Sequence, residues 1–226
     1  GDVHVGNSST TYAPDLVVEH RGYPNGVAAV ERLAEAYPGA TEVVVAGSSA
    51  GGVAAPLYGG LVSDALPDAH VAVVADSAGA YPDLPLLNAF VGSLWGVMDT
   101  LPDWPEVAGR TAREWSIPGL FGVVAEHAPD VRFATFDHAY DQAQVFYGQL
   151  AGVDADELLT LILANDARID ADGADVARFI APGAEHTILD ADAFYDFQTE
   201  GVLLVDWITD FIAGSRPLDV ICEDCR

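Results

Sequence analysis

The sequence contains no lysine, and all nine of its basic residues are arginine. Its 35 acidic residues give the chain a formal net charge of -26 at neutral pH. A surface with this charge repels the phosphates of nucleic acids and of anionic membranes, so we expect neither as a partner. It also disfavours a polyanionic substrate unless arginines cluster locally.

Long hydrophobic runs are absent as well. The sequence has no stretch of 18 consecutive apolar residues, and we therefore predict no membrane-spanning helix.

Cysteine is scarce, with Cys222 and Cys225 in the order C-E-D-C near the C-terminus. One such pair is half of a zinc site, and no second pair completes it. A redox motif of the thioredoxin type would instead stand at the start of a helix that follows a strand. A local disulfide, or pairing with cysteines outside this chain, is the favoured interpretation, and we expect neither a metal nor a cofactor.

The rest of the composition is that of a folded domain. Half of the 226 residues are hydrophobic, which is enough for one domain with a sizeable core. The chain starts at Gly1 without an initiator methionine or a signal peptide, and we expect a domain that is incomplete at its N-terminus. We also expect a secreted or extracytoplasmic protein, and the sequence leaves its oligomeric state open.

Apolar, β-branched runs alternate with segments of helical periodicity along most of the chain. The apolar runs predict strands at 16–18, 42–46, 71–75, 131–136 and 178–181, of which those at 42–46 and 71–75 are expected to be buried. The periodic segments predict helices at 23–37, 50–64, 142–165 and 201–213. Strands separated by helices of this length indicate an α/β fold with a mostly parallel sheet flanked by helices, in one domain over residues 1–226.

Residues 82–127 differ from their surroundings, because this segment is rich in proline and tryptophan. We predict short helices here rather than sheet. In an α/β fold such an insertion often caps the active site and shapes its binding pocket. A packing subdomain without ligand contact is the alternative.

Residues 42–52 carry the most informative pattern, because a predicted strand runs through Gly47-Ser48-Ser49-Ala50-Gly51 into a predicted helix. The pattern G-x-S-x-G in this position is the nucleophile elbow of serine hydrolases. Small residues on both sides let the backbone turn sharply, so Ser49 would stand at the top of the sheet. The amide of Ala50 would then lie where an oxyanion develops. An ordinary Gly/Ser loop, or a phosphate-binding turn, is the alternative interpretation.

A serine nucleophile needs a general base and an acid that orients it, which follow in the order Ser, Asp or Glu, His in this fold. His186 fits the base, because it lies late in the chain in a glycine-containing loop after a predicted strand. His138 also follows a strand and is the main alternative. For the acid, Asp76, Asp137 and Asp141 each follow a strand, and loop position does not separate them. Paired carboxylates would also suit a glycosidase or a metal site.

Five sequence blocks occur in order along the chain. They are G-D-V-H-V-G-N at 1–7, H-R-G at 20–22, G-S-S-A-G-G at 47–52, Y-D-Q-A-Q at 140–144 and H-T at 186–187. Together they resemble the pectin acetylesterase/Notum family of carboxylesterases, with G-x-S-A-G-G and Y-D-x-x-Q as the most specific parts. The resemblance covers nearly the whole chain and implies an α/β-hydrolase-like fold with a Ser-Asp-His triad. It assigns Ser49 as nucleophile, Asp141 as acid, His186 as base and the Ala50 amide as one oxyanion donor.

One part of the family pattern is not in this sequence. In that family a Gly-Gly-rich loop with an aromatic residue and a cysteine precedes the G-D-V block and supplies the other oxyanion donors. We therefore expect these donors in a preceding segment of the intact protein, together with further strands of the sheet. Loss of one oxyanion donor typically costs ~10²–10³ in rate.

The resemblance implies a serine carboxylic-ester hydrolase that removes an acyl group, acetyl in our prediction, from a polysaccharide or a related alcohol. A lipase or thioesterase that uses the same triad on longer acyl chains is one alternative. A non-catalytic binding protein with a hydrolase fold is the other. A nucleotide-binding protein with residues 47–52 as its phosphate loop is disfavoured, because no lysine follows the glycines.

Overall fold

A computed structural model describes residues 2–112 and 114–226 of the chain. Its strands are β1 (Ser8–Ala13), β2 (Leu16–His20), β3 (Glu42–Ser48), β4 (His70–Asp76), β5 (Arg132–His138), β6 (Val176–Ala181), β7 (Gln198–Thr199), β8 (Val202–Leu203) and β9 (Val220–Ile221). Its α-helices are α1 (Gly22–Ala36), α2 (Ala50–Ala65), α3 (Pro85–Trp95), α4 (Ile117–His127), α5 (Gln142–Leu150), α6 (Leu158–Ala171) and α7 (Leu204–Ile212). Within these described residues, no helix combines the length and the apolar character that crossing a bilayer requires.

The central sheet has five parallel strands in the spatial order β3-β4-β5-β6-β9. Two small antiparallel pairs, β1-β2 and β7-β8, lie outside this sheet. A parallel sheet with helical crossovers confirms the α/β fold predicted from the alternation of apolar runs and helical periodicity.

Hydrophobic layers cover both faces of the central sheet along β4, β5 and β6. On β4, Val71, Val73 and Ala75 belong to a layer that includes residues of α2 and α4. Ala72 and Val74 belong to the opposite layer, which includes residues of α7. A strand that is buried on both faces has no polar face, so β4 is continuously apolar instead of alternating.

Because the five strands are parallel, their carboxyl ends lie along one edge of the sheet, where α/β proteins bind ligands. Ser49 follows β3 directly and Ser77 follows β4 directly. Asp141 stands three residues after β5, and His186 stands five residues after β6. The order of the strands therefore brings the loops that carry the predicted site residues together at one edge of the sheet.

The segment 82–127 contains α3, α4 and two short 3₁₀ turns in its described residues. Much of α4 is buried in the same hydrophobic layer as α2. Of α3, Asn88 and Gly92 are buried, while Leu86 and Phe90 are exposed. The single-domain boundary at 1–226 and the assignment of 82–127 as a cap stay predictions.

Candidate active site

Ser49 occupies the turn between the last residue of β3 and the first residue of α2. Its backbone has φ 55° and ψ -118°, a conformation that L-residues rarely adopt. Two hydrogen bonds hold this turn, one from Ser49 N to Asp76 O at 2.8 Å and one from Val53 N to Ser49 O at 3.0 Å. A strained serine between a strand and a helix has the geometry of a nucleophile elbow.

Two glycines allow the turn at Ser49, and they are Gly47 and Gly52. A Cβ atom on Gly47 would overlap the carbonyl group of Gly51. A Cβ on Gly52 would lie 2.7 Å from the carbonyl oxygen of Asp76. A Cβ on Gly51 would meet no atom within 4 Å. The second glycine of the G-x-S-x-G pattern is therefore not required for space, because the close backbone approach on that side falls one residue later, at Gly52.

The structure brings Asp141 and His186 together. Asp141 Oδ2 lies 2.7 Å from His186 Nδ1, and the Asp141 side chain is buried. Asp141 is also the N-cap of α5, since its Oδ1 accepts from Ala143 N at 2.8 Å and from Gln144 N at 3.1 Å. The two amides fix the orientation of the carboxylate. Because Asp141 accepts at Nδ1, the neutral imidazole carries its proton there, and Nε2 is left to accept a proton.

The loops that carry Asp141 and His186 are joined by backbone hydrogen bonds. Gly183 O accepts from Tyr140 N at 3.0 Å, and Ala184 O accepts from Gln142 N at 3.0 Å. Gly183 N in turn donates to Cys225 O at 3.2 Å. Cys225 forms a disulfide with Cys222, so the C-E-D-C segment closes on itself and lies against the loop of His186.

Ser49, Ala50 and His186 line one cavity of about 410 Å³. Ser49 and His186 line the same cavity, and no hydrogen bond joins their side chains in the part of the chain that the structure describes. Ala50 is the first residue of α2, and the first amides of a helix have no acceptor within the helix. The rest of the cavity wall is largely apolar and includes Tyr81, Pro82, Leu87, Val91, Trp95 and Tyr147.

His138, the alternative base, lies in an apolar environment instead. Its ring is packed edge-on against Phe136 and Phe197, with ring centroids 5.0 Å and 5.4 Å away. Both ring nitrogens lack a hydrogen-bond partner among the described residues. Burial lowers the pKa of His138, although the nearby charge of Glu185 opposes this shift. The side chain of His138 is buried, so it is poorly placed to take a proton from Ser49.

Asp76 and Asp137, the alternative acids, bind groups other than His186. Asp137 Oδ1 accepts from Gly79 N at 2.9 Å and from Gln144 Nε2 at 2.8 Å. Burial raises the pKa of Asp137 to about 8, although these two hydrogen bonds oppose the shift. Asp76 accepts hydrogen bonds from two hydroxyls and two backbone amides. Among the three candidates, Asp141 alone forms a hydrogen bond with His186 in the described residues.

Gln144 belongs to the site but has no role in the sequence prediction. Its Nε2 donates to Asp137 Oδ1 and, at 3.2 Å, to Asp141 Oδ2. Its Oε1 accepts from Ala80 N at 2.8 Å, and the side chain lines the cavity. Its position three residues after Asp141, at the end of the Y-D-x-x-Q block, was the available signal. On a helix this spacing places the two side chains on one face.

Comparisons with known proteins bear on the fold. No protein-family model matches the chain, and no curated protein matches it. Among solved structures, that of the Wnt deacylase Notum from Drosophila is similar, with a TM-score of 0.69 and 14% sequence identity. The match covers 99% of this chain and 69% of the Notum chain.

At this identity the likeness shows the fold alone. The five-stranded parallel sheet and the match to Notum together define an α/β-hydrolase-like fold, as predicted. Of the resemblance to the pectin acetylesterase/Notum family, the likeness to Notum in fold is confirmed.

Proposed function

We propose that the protein is a serine carboxylic-ester hydrolase in which Ser49, His186 and Asp141 form the catalytic triad. The observation that carries the proposal is the common cavity. The strained Ser49 and the His186 that is hydrogen-bonded to Asp141 both line its wall. The likeness to a protein described as a deacylase supports the same class of reaction.

The proposed reaction transfers an acyl group to water in two steps. His186 Nε2 takes the Ser49 proton while Ser49 Oγ attacks the ester carbonyl carbon. The Ala50 amide donates to the oxyanion, and Asp141 stabilises the imidazolium through Nδ1. The imidazolium then protonates the leaving alcohol. Water, deprotonated by His186, cleaves the acyl-enzyme and regenerates Ser49.

The cavity favours a second candidate within this class, a deacylase for acyl chains longer than acetyl. An acetyl methyl group is about the size of a water molecule, which occupies about 30 Å³ in the liquid. The cavity of about 410 Å³ would therefore stay mostly unfilled by an acetyl group. Leu87, Val91 and Trp95 on its wall offer an apolar surface for further methylenes.

Replacement of Ser49 tests the proposed function. We expect Ser49→Ala to lower the hydrolysis of 4-nitrophenyl esters by at least about 10³-fold, because no other hydroxyl takes its place in the elbow. Circular dichroism should show an unchanged fold. Ser93→Ala is the matched control, since the Ser93 hydroxyl is exposed and donates to Phe90 O within α3. Equal turnover by wild type and Ser49→Ala would contradict the proposal.

An acyl-length series separates acetyl from longer chains. Each methylene buried in an apolar cavity contributes about 0.8 kcal/mol, or about fourfold in kcat/KM. We therefore expect kcat/KM to rise from acetyl through butyryl and hexanoyl to octanoyl esters. A maximum at acetyl would instead favour the polysaccharide acetylesterase predicted from the sequence.

A further inference from the structure

Asp76 is a buried carboxylate at the end of β4 that takes no part in the proposed reaction. Its Oδ2 accepts from Ser48 Oγ at 2.7 Å, from Ile188 N at 3.0 Å and from Leu189 N at 3.1 Å. Its Oδ1 accepts from Ser77 Oγ at 3.0 Å and from Ile188 N at 3.2 Å. A side chain that accepts hydrogen bonds from four donor groups is a strong local restraint.

The donors to Asp76 come from the neighbours of two proposed catalytic residues. Ser48 immediately precedes Ser49, and Ile188 stands two residues after His186. These donors are 28 and 112 residues away from Asp76 in the chain. A single side chain therefore connects the elbow to the loop of the proposed base.

The backbone and the next residue add to the same connection. Asp76 O accepts from Ser49 N at 2.8 Å. Ser77 Oγ, which donates to Asp76, also accepts from Thr187 N at 2.9 Å. Ser49, Ser77 and Thr187 all have positive φ values, of 55°, 56° and 64°. Such backbone conformations persist where the surrounding contacts enforce them.

We propose that Asp76 is a positioning residue that sets Ser49 and His186 in register for proton transfer. The inference rests on the proposed function for its catalytic part. A carboxylate suits this place because the Ile188 and Leu189 amides can only donate and both of its oxygens accept. An asparagine would present an NH₂ group at one of these positions. A misplacement of about 1 Å between reacting groups can cost ~10²-fold in rate.

Two measurements on Asp76→Asn test the proposal. The first is amide hydrogen exchange, because Ile188 N and Leu189 N donate to the Asp76 carboxylate. We expect exchange at these amides to accelerate at least about tenfold, while the amides of β6 stay protected. The second is steady-state kinetics on a 4-nitrophenyl ester. We expect kcat to fall about 10- to 100-fold with KM within about twofold of wild type.

A control separates positioning from a general loss of stability. Ser116→Ala removes a buried cap of α4, where Ser116 Oγ accepts from Gly119 N at 3.1 Å. Loss of this cap lowers the stability of the fold, and we expect kcat to stay at the wild-type value. If Asp76→Asn does not fold, Ser48→Ala can be used instead, because it removes only the hydrogen bond from Ser48 to Asp76. We then expect a smaller fall in kcat, again with KM unchanged.

The outcomes separate this inference from the proposed function. Unchanged exchange at Ile188 and Leu189, or a kcat of Asp76→Asn equal to wild type, would overturn the positioning role. A wild-type protein without esterase activity would instead refute the proposed function. The exchange rates would then still decide whether Asp76 holds the two loops together.

Discussion

Asp137 is a buried carboxyl group beside the proposed triad, and its replacement by asparagine should change how stability depends on pH. Burial raises the pKa of Asp137 from its ordinary value of 3.8 to about 8. The hydrogen bonds from Gln144 and Gly79 offset part of this shift, and the charges of Asp166 and Asp141 add to it. We therefore expect Asp137 to be protonated in the folded protein at neutral pH.

The sign of the effect follows from proton binding. Between about pH 4 and pH 8 the unfolded chain loses the Asp137 proton, whereas the folded chain keeps it. The folded state then binds more protons, so the free energy of unfolding falls as pH rises, by about 1.4 kcal/mol per unit. Near pH 8 the folded state also ionises and the slope vanishes. From pH 5 to pH 8 the loss amounts to about 3 to 4 kcal/mol.

Asp137→Asn removes this titration while it keeps an oxygen that can accept from Gly79 N and from Gln144 Nε2. The stability of the variant relative to wild type should therefore rise by about 3 to 4 kcal/mol between pH 5 and pH 8. Urea unfolding followed by tryptophan fluorescence at several pH values measures this difference. Burial also raises the pKa of Asp166, to about 6. Because Asp166 is present in both proteins, its contribution to the stability difference largely cancels.

The exposed Asp68→Asn controls for the loss of one acidic residue. A stability difference between Asp137→Asn and wild type that does not change with pH would contradict this prediction, because it would mean that Asp137 is ionised in the folded protein.

Two further predictions concern the elbow and the cavity. Gly47→Ala should destabilise the protein by about 1–3 kcal/mol, because the new Cβ would overlap the backbone of Gly51. Gly51→Ala should be neutral or should stabilise the protein by up to about 1 kcal/mol. Equal urea midpoints for the two variants would contradict this prediction. Val91→Trp should fill part of the cavity and lower kcat/KM at least about tenfold for an octanoyl ester but less than about threefold for an acetyl ester. An unchanged ratio between the two esters would show that the acyl chain does not enter this cavity.

The central strands could be predicted from the sequence because burial on both faces leaves a clear trace. β4 and β6 are apolar over most of their length and β5 at three of its seven residues, and the structure has all three strands within two residues of the predicted bounds. β1 was not predicted, since its residues SSTTYA are polar and largely exposed. β9 is a two-residue strand, too short for any periodicity. The last helix begins at Leu204 instead of 201, because Val202 and Leu203 pair with β7.

The arrangement of the acidic residues could not be predicted in the same way. Asp76, Asp137 and Asp141 all lie at the carboxyl ends of neighbouring strands, and all three are buried. Their partners come from segments as far as 113 residues away in the chain, so local sequence does not reveal them. The resemblance to a family singled out Asp141, and the structure places it against His186. The roles of Asp76 and Gln144 emerge from hydrogen bonds that only the folded chain forms.

Reaction with a fluorophosphonate probe is the most direct test of Ser49 as the nucleophile, because this reagent labels serines that are activated by a neighbouring base. We expect one label per chain, located on Ser49 by mass spectrometry of the digested protein. We also expect no label in Ser49→Ala and labelling at least about 10³-fold slower in His186→Ala. A wild-type protein that takes up no probe, or one that takes it up at a different serine, would contradict the assignment of Ser49 as the nucleophile.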